Sequence, residues 1–357
     1  MDHITLMAPQ WREIGTRIFR SWGASEAAAW CVANSLVGAD LAGVYSHGIM
    51  RIPHYYRQLQ AGWLQPTHEP TVSRETATLA FVEGNWGFGQ PAAHLGLDLA
   101  LAKARSEGIA AAGIIHSGHI GRLGEYAEKA AAQNMIALVF ASSGPFGGQL
   151  APYGGVEQTL GTNPIAAGVP TGERPPFVMD FASSVVASGK VMLLPGSDSE
   201  LPPGWAQDAE GRPAATVRDF QNGGSLLPAG GHKGYAFAVL VELLCGALLG
   251  AGVTQRPQQK RPLGAGGNAT FIIALDVEHF RDMPSFTEEV AGLYDRLHGV
   301  RPAPGFDEVL VPGEPELRQR ARQESEGIRV RGDTWQKIAA VAAERGVALD
   351  DIVDEVH

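Results

Sequence analysis

The chain has 357 residues, with 28 basic against 38 acidic side chains and a formal net charge of −10. That length supports a large buried core divided between lobes, and that charge argues against nucleic acid or an anionic membrane surface as the main partner. It leaves room for a small anion held in a local basic pocket.

Both cysteines, Cys31 and Cys245, lie in apolar helical runs, so they read as core thiols of a reducing compartment and not as a disulfide framework. The N-terminus lacks the basic start and apolar run of a signal peptide, and the longest apolar stretch, from Tyr235 to Val253, is broken by Glu242 and glycines. A cytoplasmic protein is expected.

Helical apolar spacing covers Ala8 to Phe19 and Ser25 to Ala42. The chain then reaches its densest polar stretch, Ser46-His47-Gly48-Ile49-Met50-Arg51-Ile52-Pro53-His54-Tyr55-Tyr56. A helix from His47 to Gln60 would place His47, Arg51, His54, Tyr55 and Gln58 on one stripe and Ile49, Ile52, Tyr56 and Leu59 on the other. Ser46 would be its N-cap and Gly62 its stop, with Pro53 either kinking the helix or marking its true start. An arginine fork one turn from a histidine suits a 2-oxo or 2-hydroxy acid, the fork holding carboxylate and the imidazole handling a proton on the neighbouring oxygen. The same pair would also suit an ordinary solvated helix face.

A turn with Pro66 and Pro70 follows, then a strand over Thr76 to Val82 and a helix over Pro91 to Ser106. Between them, Gly87-Phe88-Gly89-Gln90-Pro91-Ala92 nearly matches the glycine fingerprint of a Rossmann nucleotide site. The next strand, Ile109 to Ile115, ends at His116 and not at the acidic residue such a unit needs, so tight packing is the better reading of these glycines. His116-Ser117-Gly118-His119-Ile120-Gly121-Arg122 then opens a helix to about Asn134, with glycines that allow a phosphate to approach its N-terminus. Strands are expected over Ile136 to Ala141, Ile165 to Val169 and Phe177 to Phe181. Their loops, Ser142-Ser143-Gly144-Pro145, Gly161-Thr162-Asn163-Pro164 and Asp180-Phe181-Ala182, carry small polar groups that suit either a ligand or turns. Gly230-Gly231-His232-Lys233-Gly234 precedes a helix over Ala236 to Leu249 and again suggests phosphate without a full P-loop. A strand over Ala269 to Leu275 and helices near Thr287 to His298, Glu316 to Glu324 and Thr334 to Arg345 complete an α/β or α+β pattern.

In this order, Ser46-His47-Gly48 with Arg51-Ile52-Pro53, His119-Ile120-Gly121-Arg122, Gly161-Thr162-Asn163-Pro164, Asp180-Phe181-Ala182-Ser183 and Gly230-Gly231-His232-Lys233-Gly234-Tyr235 closely resemble the malate/L-lactate dehydrogenase family. That family also contains sulfolactate, ureidoglycolate and diketogulonate dehydrogenases and piperideine-2-carboxylate reductase. The resemblance spans the chain from about Trp11 to its last helix. It implies an α+β fold whose nucleotide domain is non-Rossmann, with a mostly antiparallel sheet, and is inserted into a lobe built from both chain ends. The corresponding division is 1–115 with 300–357 for the substrate and dimerisation lobe, and 116–299 for the cofactor domain.

The resemblance further implies an oxidoreductase using NAD or NADP on a small carboxylate substrate, and a homodimer with the active site near the subunit interface. It assigns Arg51 to the carboxylate, Ser46 and Tyr55 to the substrate lining, and His47 and His119 to nicotinamide and substrate, with His119 ranked first as proton carrier. Ile120, Gly121, Arg122, Ser143, Thr162, Asn163, Asp180, Phe181, Ala182 and Lys233 fall at cofactor positions. His232 and Phe181 depart from residues common in relatives, and His232 could meet a second acidic group of the substrate. Reduction of a cyclic imino acid is the alternative within the family. Outside it stand a metal-dependent hydrolase or lyase on His47, His54, His116 and His119, and a non-catalytic small-molecule binder; no metal is expected.

Overall fold

The computed structural model describes residues 3–143, 148–194, 196–254 and 267–353. Gly144 and Pro145, expected to line a ligand loop, lie outside the described residues.

The chain opens with β1 (His3–Leu6), α1 (Ala8–Ser21) and α2 (Glu26–Leu41). Trp11, Ile14 and Ile18 recur at helical spacing on α1 and are fully buried. Ser25 caps α2 by accepting the Ala28 N–H, as its position before an apolar run suggests. The helix expected from His47 is shorter. Two 3₁₀ turns, Tyr45–His47 and Ile49–Arg51, precede α3 (Ile52–Gln60), and Pro53 stands in the first turn of α3, where its missing N–H costs nothing. Ser46 therefore lies inside a turn and caps no helix, while Gly62 follows the helix with φ +73°.

Next come β2 (Thr71–Glu75), β3 (Leu79–Glu83), α4 (Gly89–Glu107), β4 (Ile109–Ser117), α5 (Gly124–Ala131), β5 (Met135–Ser142), β6 (Ile165–Val169) and β7 (Phe177–Phe181). β2 falls just after the Pro70 turn and every residue in it is exposed, so it carries no apolar alternation to betray it. Short elements α6 (Ser188–Met192), β8 (Ala206–Gln207), α7 (Val217–Gln221) and β9 (Ser225–Leu226) enclose a small core of their own, including Leu150, Val217, Phe220 and Leu226. α8 (His232–Val241) runs on as a π-helix over Glu242–Leu248. The chain ends with β10 (Asn268–Asp276), α9 (Met283–His298), α10 (Glu314–Glu326), β11 (Ile328–Arg331), α11 (Gly332–Glu344) and α12 (Asp350–Val353).

Seven strands form one mixed sheet in the order β2-β3-β4-β10-β5-β6-β7. β3 and β4 pair in parallel around α4, and the other neighbours are antiparallel. This is an α+β arrangement. A second core joins the chain ends: β1 pairs with β11, His3 opposite Arg331, and Ile328, Ile338 and Val341 pack among Trp11, Ile14 and Ile18. The sheet begins at Thr71 and β4 runs through 115 and 116, so a division at that point would cut a strand.

Register brings the polar loops together. Ser117 at the end of β4 lies opposite Asn268 at the start of β10, Ala269 opposite Ser142 at the end of β5, and Ile165 at the start of β6 opposite Phe181 at the end of β7. One end of the sheet therefore carries His119 to Arg122, Ser143, Thr162 and Asp180 to Ala182.

Candidate active site

A cleft of about 490 Å³ lies between that end of the sheet and the turn after α2. Ser46 and His47 form one side, while Thr162, Asp180, Phe181 and Ala182 form the other. The His47 and His119 rings stack at 5.4 Å, which places the His119 cluster at the inner end of the cleft.

The Tyr45–Arg51 turn is held from behind by Asp40, a buried carboxyl inside apolar α2. Its Oδ2 accepts the Ile49 N–H at 2.9 Å, and a Cβ on Gly48 would fall 1.8 Å from its Oδ1. Only glycine fits there. Burial lifts the Asp40 carboxyl to about 8, against the pull of the Ile49 N–H. From the front, Gly189 of α6 presses on the turn, since its Cβ would meet Ser46 Cβ at 2.6 Å and an Arg51 Nη at 3.4 Å.

Arg51 donates through Nε to the Ser46 carbonyl at 2.6 Å, which turns the remaining fork outward from its own backbone. No carboxylate among the described residues forms an ion pair with it. Burial lowers its affinity for the proton without discharging it, because arginine stays ionised in proteins. A half-buried cation without a counter-ion is a receptor for an anion.

Around it stand three neutral imidazoles. Burial, then Arg51 and Arg122, drive His47 down to about 3, and burial and Arg51 drive His54 down to about 4. His119 is lowered well below its ordinary value by burial, Arg51 and His47. The His47 Nδ1 lies 2.9 Å from Ser46 Oγ, and His119 Nδ1 lies 2.8 Å from the Tyr55 hydroxyl, which Gln90 Nε2 approaches at 3.1 Å. Burial raises the Tyr55 phenol to about 12.

At the other end, Asp180 Oδ2 accepts the Gly124 N–H at 2.7 Å. Arg122 is buried and spends its guanidinium on Glu128 at 2.5 Å, with Asp180 at 3.8 Å. It braces the wall and is not free to take a phosphate. Burial raises the Asp180 carboxyl against the opposing pull of Arg122 and Gly124.

Not every expected residue faces this cleft. Ile120 is buried in the sheet core and its N–H goes to Asn268 Oδ1. Gly121 spends its N–H on His119 Nδ1 at 3.2 Å. Asn163 is buried, its amide donating to the Ala238 carbonyl and to Glu242. Ser143 lies against Gly161, and Lys233 is exposed at the start of α8. His232 sets its ring 6.0 Å from Tyr153. His116 pairs with Glu83 at 2.8 Å.

The near-Rossmann glycines are filled by protein. A Cβ on Gly87 would lie 2.3 Å from the His68 carbonyl, and one on Gly89 would lie 2.1 Å from that of Gly118. Among the described residues no three of His, Cys, Asp and Glu gather as metal ligands.

Sequence reasoning missed Asp40, Gln90, Lys190 and Glu316. Asp40 left a signal, a carboxyl near the C-terminal end of a mostly apolar helix; Lys190 lines the cleft from short α6, which no pattern announced, and Glu316 from the first turn of charged α10.

Against known proteins, the malate/L-lactate dehydrogenase model matches residues 7–339. A malate dehydrogenase of Pyrococcus horikoshii is 33% identical over 339 residues, covering 93% of this chain and 92% of that protein. The sulfolactate dehydrogenase structure from Methanocaldococcus jannaschii superposes with a TM-score of 0.86 at 30% identity, covering 98% and 99% of the two chains. A Δ1-piperideine-2-carboxylate reductase structure from Pseudomonas syringae pvar. tomato gives 0.84 at 33% identity, covering 95% and 100%. The chain belongs to the malate/L-lactate dehydrogenase family and is an oxidoreductase of that family.

Proposed function

We propose that the protein moves a hydride between NAD or NADP and C2 of a small 2-oxo or 2-hydroxy acid. The observation that carries this reading is the unpaired Arg51 fork beside His119. Arg51 holds the substrate carboxylate in a bidentate grip, which leaves the neighbouring C2 oxygen facing the imidazoles. His119 binds that oxygen through Nε2, because its Nδ1 is occupied by Tyr55 and Gly121. Ser46 fixes the ring of His47 beside the reacting carbon.

The nicotinamide supplies the hydride chemistry. Asp180 is suited to accept a cofactor ribose hydroxyl, while Thr162 and the backbone of Phe181 and Ala182 border the same cleft. The cofactor lobe is the body built on the seven-stranded sheet, non-Rossmann in type, and the lobe of the joined chain ends supplies the substrate residues. A homodimer is supported by the apolar face of α8 and its continuation, where Phe237, Leu240, Leu243 and Leu248 are all exposed. No described helix is long and apolar enough to cross a membrane.

Similarity to the piperideine-carboxylate reductase favours a second reading, in which Arg51 holds the carboxylate of a cyclic imine. The test follows NADH and NADPH absorbance with pyruvate, oxaloacetate, 2-oxoglutarate, phenylpyruvate, diketogulonate and cyclic imino acids, with and without chelator. Chelator-insensitive oxidation with an oxo acid supports the first reading, and oxidation with imines alone supports the second. No oxidation and no cofactor binding by fluorescence would refute both.

A further inference from the structure

Gln90 is the second residue of α4 and is fully buried. Its Nε2 lies 3.1 Å from the Tyr55 hydroxyl, and its Oε1 has no partner among the described residues. A buried amide placed this way has a directional consequence that begins at Gly121. A backbone N–H can only donate, so the Gly121 N–H at 3.2 Å requires His119 Nδ1 to be an acceptor. The neutral ring must then carry its proton on Nε2. Tyr55, 2.8 Å from the same Nδ1, has to donate to it, which leaves the phenolic oxygen as acceptor for the Gln90 amide. The donors in the chain therefore run in one direction, from Gln90 to Tyr55 to His119 Nδ1.

We propose that Gln90 is a positioning residue that sets the direction of this chain, and that Tyr55 replaces the proton His119 delivers to the substrate oxygen. The proposal rests on the dehydrogenase reading and extends it. In the reductive direction the Nε2–H bond breaks as an O–H bond forms on the C2 oxygen. Nδ1 takes the phenolic proton of Tyr55, so His119 stays neutral, and the phenolate is held by the Gln90 N–H. After product leaves, a proton from hydronium or buffer acid in the solvent restores the phenol and is the one proton the overall reduction consumes; oxidation of the alcohol runs the same transfers in reverse and releases it. The depressed proton affinity of His119 and His47 agrees with a route that never requires an imidazolium. Burial is the largest influence on Tyr55 and holds the proton on the phenol; Arg51 and the Gln90 amide favour the phenolate, and Glu125 opposes it.

The experiment uses the full chain labelled with ¹⁵N-histidine, with His119 assigned by comparison with His119→Gln. Long-range ¹H–¹⁵N spectra of the wild type should show His119 as the neutral Nε2–H tautomer. Gln90→Leu should give mixed tautomers and lower kcat by ~10-fold, with the KM of the oxo acid near that of the wild type. Gln90→Glu, which offers Tyr55 an acceptor in place of a donor, should lose more kcat than Gln90→Leu; a residue needed only for packing would not produce that order. An Nδ1–H tautomer in the wild type, or unchanged kcat and tautomer in Gln90→Leu, would overturn the proposal. If Gln90→Leu fails to fold, the wild-type spectrum decides. A wild type that shows the Nε2–H tautomer yet oxidises neither NADH nor NADPH would uphold the hydrogen-bond direction, refute the dehydrogenase reading and remove the proton relay with it.

Discussion

Arg51 makes opposite demands on stability and activity, and replacing it separates them. Its guanidinium is half-buried, has one backbone acceptor and pairs with no carboxylate among the described residues. Arg51→Met removes an uncompensated charge, so the ligand-free protein should unfold at a higher temperature than the wild type. Substrate binding reverses the sign, because the incoming carboxylate then has no partner. Leaving such a charge buried and unpaired costs ~3–5 kcal/mol. That corresponds to a fall of ~10²–10³-fold or more in kcat/KM.

Arg51→Lys keeps the charge and loses the fork. One charge-assisted hydrogen bond is worth ~1.5–3 kcal/mol, so the KM should rise ~10–100-fold with a smaller change in kcat. The assay is steady-state NADH or NADPH oxidation with a 2-oxo acid and its neutral amide. The wild type should prefer the acid strongly, and Arg51→Met should lose that preference. An Arg51→Met enzyme that still discriminates acid from amide would refute the carboxylate clamp.

His119→Ala and His47→Ala should each lower turnover by ~10²–10⁴-fold with cofactor affinity within a few-fold of wild type, as read by stopped-flow and fluorescence titration. Near-wild-type turnover in both would remove the histidines from the chemistry. Asp40 gives a pH signature in stability. Its folded pKa of about 8 lies above the unfolded ~3.9, so between those values the unfolded state loses a proton that the folded state keeps. Stability from this group therefore falls as pH rises from ~4 toward 8. Asp40→Asn should remove that slope in thermal unfolding, and an unchanged slope would contradict the assignment. Gly48→Ala should lose activity and ~1–3 kcal/mol of stability in urea titrations, because the new methyl collides with the Asp40 carboxyl.

Apolar segments were legible, whether one-sided like α1 or buried on both faces like β6. The helices at Ala8 and Ser25 and the strands at Ile165 and Phe177 appear where apolar spacing placed them. β1 and β11 escaped because four residues are too short for a pattern, and β2 because it buries nothing. At the site, Ser46, His47, Arg51, Tyr55 and His119 announced themselves through their density of functional groups. Their division of labour was not readable, since Tyr55 reaches His119 across 64 positions and Gln90 reaches Tyr55 from a third segment. Arg122 shows the same limit from the other side. A cation beside a glycine turn suggests phosphate, and only the fold shows that Glu128 and Asp180 already neutralise it.

The central claim is that this cleft delivers a hydride to C2 of a carboxylate held by Arg51. The most direct measurement uses the accepted cofactor carrying deuterium at C4, an accepted 2-oxo acid, and proton or deuterium NMR of the product. Deuterium at C2 from one face of the nicotinamide, with none incorporated when unlabelled cofactor is used in D₂O, is the predicted result. Product whose C2 hydrogen comes from solvent would contradict it.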